Sequence, residues 1–175
     1  MPIPARLRPP PPSTEEVREY TELCRLIENG RYADDDELDD LLHRWNRRAG
    51  TTYVVENFQT YYGSMEIDEF VGRMLMGIPQ LVPDLTYAEL RDVLEGQISV
   101  SLSEPEINYY LDWLDANLPG ANISDLIYWP SEWFKDESLR RVEFTPDQIL
   151  AYAMAKSGRH FPDAPAGVPM PYPIP

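Results

Sequence analysis

Seven consecutive residues, Ser124-Asp125-Leu126-Ile127-Tyr128-Trp129-Pro130, place a carboxylate, a phenol and an indole on a stretch too short to be a core helix. A proline then stops it. This set of groups suits recognition rather than bond-making. Tyr and Trp bring rigid contact area at low entropic cost, and an acid beside them can pair with a Lys or Arg of another protein. Leu126 and Ile127 are the natural anchors of such an element. Asp125 also suits a helix start, where unpaired N–H groups favour negative charge. Tyr128 is therefore expected in solvent, and Leu126 and Ile127 in the core.

The residue types that carry catalysis are poorly arranged. Cys24 falls on the apolar stripe of a helix with no histidine within a turn, which marks a small buried hydrophobe. His43 and His160 are far apart, and neither has a cysteine or second histidine nearby, so no metal site is expected. There is no Gly-rich phosphate loop and no nucleophile elbow. With 30 acidic residues, some carboxylate pairs arise by chance. The chain reads as a binding protein without a cofactor, not an enzyme.

The formal net charge of −15 argues against nucleic acid or an anionic membrane as direct partner, because phosphate binding needs the opposite sign. It favours a basic partner and fast, salt-dependent association. One cysteine permits no disulfide within the chain, which fits a reducing cytoplasm. No secretory h-region follows Arg6 and Arg8, and no apolar run is long enough to span a bilayer.

The elements that must position these groups read as helices throughout. Ser13 with Glu16, Thr86 with Glu89 and Ser103 with Glu106 form capping-box patterns, and Thr145-Pro146 opens the last helix. Helices are expected at about 14–29, 35–49, from Ser64 to near Gly77, 86–98, 103–117 and 146–158. Val17, Tyr20, Leu23, Cys24 and Ile27 form one apolar stripe; Leu38, Leu41, Leu42 and Trp45 form the next. Residues 53–62 fit a short helix or a strand, and 131–144 read as a polar loop containing Trp133 and Phe134. The order long, long, short, final occurs twice. The expected fold is all-α: two tandem or fused four-helix bundles over 13–80 and 81–160. Proline-rich extended tails flank them at 1–12 and 161–175. Such tails also allow a second reading, a helical adaptor that recruits partners through proline-rich segments.

Residues 84–160 resemble the immunity proteins of DNase colicins and pyocins. The likeness rests on Ser124 to Pro130, where the family shows Ser-Asp-Leu-Ile-Tyr-Tyr-Pro, and on the Thr145-Pro146 helix start. Asp84-Leu85-Thr86-Tyr87-Ala88-Glu89 also looks like the family's entry to its first helix. The resemblance implies four-helix bundles that bind a basic toxin nuclease beside its active site without filling the catalytic centre. It implies partner-binding roles for Asp125, Tyr128 and Trp129, with Pro130 closing the element. It also implies partner choice by the preceding helix through Glu104, Asn108, Asp112 and Asp115. Trp129 departs from the family's second tyrosine, and the chain is about twice the family's length. In the first half, Tyr53, Glu56, Asn57, Tyr61 and Tyr62 occupy the comparable stretch.

Overall fold

The computed structural model describes residues 3–63, 65–99 and 102–175 and, for Tyr62, the backbone alone. Among the described residues all regular structure is helical, with nine α-helices and no strand. The chain divides into two compact units. An N-terminal unit holds residues 9–78 and 103–109; a C-terminal unit holds 1–8, 79–102 and 110–175. The division expected from sequence, at 80/81, falls two residues after the structural one at 78/79, and residues 3–8 and the start of the sixth helix group with the other unit.

In the N-terminal unit, α1 (Thr14–Glu28) starts at a complete capping box. The Ser13 hydroxyl accepts from the Glu16 N–H at 3.1 Å, and the Glu16 carboxylate accepts from the Ser13 N–H at 3.0 Å. Helix α2 (Asp35–Ala49) is acidic at its start and basic at its end, and Gly50 closes it at φ 71°, where a side chain would be strained. Helix α3 (Val55–Thr60) resolves the ambiguous stretch. The Asn46 side chain takes both backbone groups of Tyr53, accepting at 2.7 Å and donating at 2.8 Å, and Asn57 accepts the Val54 N–H at 2.9 Å. With these groups occupied locally, no strand partner is called for. Helix α4 (Ile67–Met76) follows Glu66; the expected Ser64 cap lies outside the described residues. Helix α1 packs on α2, α3 and α4. Leu23, Cys24, Ile27, Leu41 and Trp45 are buried, while Val17, Tyr20, Leu38 and Leu42 lie partly buried at the edge of that core. Trp45 stacks on Phe70 at 5.2 Å and meets Phe58 edge-on at 4.8 Å.

In the C-terminal unit, α5 (Tyr87–Ile98) and α9 (Pro146–Ser157) each start at a complete capping box, and they pack together. Between them lie α6 (Glu104–Asn117), whose first residues belong to the other unit, α7 (Ile123–Tyr128) and α8 (Pro130–Phe134). The supposed polar loop over 131–144 is instead α8 and a 3-10 turn at Glu137–Leu139, with Trp133, Phe134 and Leu139 buried. Asn117 is fully buried and bonded on all sides. Its Oδ1 accepts from the Val82 N–H at 2.9 Å and from Arg159 at 3.0 Å, and its Nδ2 donates to the Trp113 and Gln80 carbonyls.

The ends of the chain are parts of this unit rather than free tails. Ile3, Leu7 and Phe161 are buried. Arg6 forks onto Glu89 at 2.5 and 2.6 Å and reaches Asp84 at 3.2 Å. The Tyr152 hydroxyl donates to the Tyr172 carbonyl at 3.0 Å and accepts its N–H at 2.8 Å. Proline-rich backbone offers few donors, so these segments are held by interspersed apolar and aromatic side chains.

Candidate functional site

Helix α7 is a short platform fastened at both ends. Asn122 enters it at φ 50°, a left-handed conformation that asparagine tolerates better than most residues. The Asp115 carboxylate accepts the Ile123 N–H at 3.2 Å, which ties α6 to the first turn of α7. Ile123 and Leu126 are buried, and α7 packs on α9 and α8.

At the far end, Trp129 joins two helices. Its N–H donates to the Asp125 carbonyl at 2.8 Å, closing α7. Its own carbonyl accepts from the Glu132 and Trp133 N–H groups at 2.9 and 3.1 Å, opening α8. Helix α8 is in turn anchored by Trp133, whose indole N–H donates to the Ala121 carbonyl at 2.6 Å and whose ring meets Tyr152 edge-on. The backbone of Trp129 is thus pinned on both sides while its side chain remains 61% exposed. Tyr128 beside it is 48% exposed. Two adjacent large aromatics in solvent on a rigid turn make a ready contact surface.

Acidic groups flank helix α7. Asp125 lies one turn before Tyr128, on the same side of the helix. The Asp115 carboxyl is raised above its usual range, first by desolvation and then by the charges of Asp112 and Asp125, against the opposing pull of the Ile123 N–H. Asp112, Asp115 and Asp125 therefore share one field, which a Lys or Arg would relieve.

Of the residues expected from sequence, Asp112, Asp115, Asp125, Tyr128 and Trp129 lie in the C-terminal unit around α7. Pro130, expected among the contact residues, is buried as the first residue of α8 and offers no surface. Glu104 and Asn108 fall in the N-terminal unit. Glu104 is exposed, but the Asn108 amide donates to Glu69 at 3.1 Å, so it already serves the fold. Trp133, read from sequence as part of a polar loop, is core. Sequence reading missed Gln97, whose Nε2 donates to the Tyr128 hydroxyl oxygen at 3.3 Å; a glutamine on a predominantly apolar stripe was the available signal. Among the described residues no group of three His, Cys, Asp or Glu could hold a metal ion, and no helix is long and apolar enough to cross a membrane.

Comparison of this chain with protein-family models, curated proteins and solved structures gave no match.

Proposed function

We propose that this chain is an immunity protein that neutralises a cognate basic nuclease toxin by binding beside its active site, with no chemistry of its own. The observation that carries this reading is the exposed Tyr128–Trp129 pair on a pinned turn, with Asp125 one turn before it and Asp115 bonded to the start of the same helix, in a chain of net charge −15. Negative potential steers the basic toxin inward, and the aromatic pair desolvates against it. The charges on α6 favour the right partner and penalise the wrong one. The N-terminal unit runs long, long, short, final over α1–α4, whereas the C-terminal unit carries a second short helix, α8, so it departs from the four-helix order expected from sequence. The adaptor reading loses ground because Ile3, Leu7 and the segment ending in Tyr172 are packed into the C-terminal unit and not free to recruit a partner.

The test is co-expression with the product of the neighbouring reading frame, followed by titration calorimetry. A basic nuclease domain that binds this chain and is silenced by it supports the reading. A neighbour with no nuclease activity and no affinity for the chain overturns it.

A further inference from the structure

Behind the exposed phenol of Tyr128 lies a buried carboxamide. Gln97, in the last turn of α5, is 3% exposed, and its Nε2 reaches the Tyr128 hydroxyl oxygen at 3.3 Å. Its Oε1 is shut off from solvent and has no hydrogen-bond partner among the described residues. An unpaired buried amide oxygen works against folding, and an apolar side chain of the same length would remove that penalty. The position is nonetheless firmly built. A Cβ on the neighbouring Gly96 would come within 2.8 Å of Ile3, which is itself buried. The Ser99 hydroxyl donates to the Gly96 carbonyl at 2.8 Å, and the Ser99 N–H donates to the Glu95 carbonyl at 3.0 Å. Held by Ile3 and by Ser99, this turn gives Gln97 a fixed base from which to reach the phenol.

We infer that Gln97 is a positioning residue for the partner contact, its carboxamide fixing the Tyr128 side chain in the orientation that meets the partner. What the phenol meets rests on the proposed function; the fixing itself does not. With one lone pair of the phenol oxygen occupied by Gln97, the hydroxyl hydrogen is left to donate outward, to a carbonyl or carboxylate of the partner. A fold-weakening group is retained where it prepares a surface for binding, and preorganisation of this kind lowers the entropic cost of association.

The test uses Q97M, Y128F and the double variant in the full chain. Methionine keeps the length and unbranched shape of glutamine but has no amide. In the free protein, three-bond couplings of the Tyr128 side chain should report one χ1 rotamer for the wild type and averaged rotamers for Q97M, with the urea midpoint unchanged or raised. A single rotamer in Q97M overturns the proposal. So does averaging that comes with a lowered midpoint, which would make Gln97 only a support of the fold. The probe for binding is the catalytically disabled nuclease domain encoded beside this chain's gene. Q97M is expected to speed its dissociation about ten-fold, and Q97M added to Y128F should change nothing further. A loss that persists in the Y128F background overturns action through the hydroxyl. A domain that ignores the wild-type chain overturns the functional reading, while the rotamer measurement still decides the role of Gln97.

Discussion

Tyr128 and Cys24 show how one side chain's surroundings set its use. Tyr128 stands 48% exposed above a hydrogen-bonded neighbour. If the chain is the immunity protein proposed above, Tyr128→Ala is expected to weaken binding of its toxin by more than ~2 kcal/mol, as truncation of a central aromatic does. Calorimetry giving less than half that loss would remove Tyr128 from the anchor role. Cys24 is the opposite case. Burial, and after it the charge of Glu28, pushes its thiol up to about 12. Almost no thiolate exists at neutral pH, so a disulfide-exchange reagent should label Cys24 only at the rate of unfolding; prompt labelling of the native protein would contradict that. The motif at 124–130 was legible because the sequence packs its acid and aromatics together. Gln97 was not, because 31 residues separate it from Tyr128 and only the fold brings them together.

At the level of elements, the helix starts were the clearest signals. Ser13, Thr86 and Thr145 all cap as their spacing implies, because a capping box is a contact between residues three apart. The second short helix, α8, was hidden because its anchor is long-range: Trp133 bonds the Ala121 carbonyl and packs on Tyr152. Trp133→Ala is expected to cost ~3–5 kcal/mol of stability, measured by urea unfolding, and to loosen the turn at Trp129. The last turn of α5 makes a sharper test. Alanine usually stabilises a helix relative to glycine by ~0.5–1 kcal/mol. At Gly96 the sign should reverse, because the new methyl meets Ile3. In an Ile3→Ala background, Gly96→Ala should recover its usual gain. A stabilising Gly96→Ala in the wild-type chain would show that Ile3 yields freely.

For the whole molecule, charge and topology matter most. With a net charge of −15, association with the proposed basic partner should slow by roughly ten-fold or more between 50 and 500 mM salt, measured by stopped-flow fluorescence. Within the C-terminal unit, Arg6 above all, with Thr86 adding to it, holds the Glu89 carboxyl down at about 2. A lowered folded value adds stability above the ordinary carboxylate range, and that stability is lost as pH falls from about 4.5 toward about 2. Arg6→Met should therefore lower the urea midpoint at pH 7, and the gap from wild type should narrow by pH 3. An unchanged gap would place the effect of Arg6 in packing instead. The all-helical class was legible from periodicity, but the assignment of residues 3–8 to the C-terminal unit was not, since Arg6 meets Glu89 83 residues further on. That separation governs how the polypeptide comes off the ribosome. Translation delivers Ile3, Arg6 and Leu7 long before α5 exists to receive them, so they must wait unpaired while the N-terminal unit is being made.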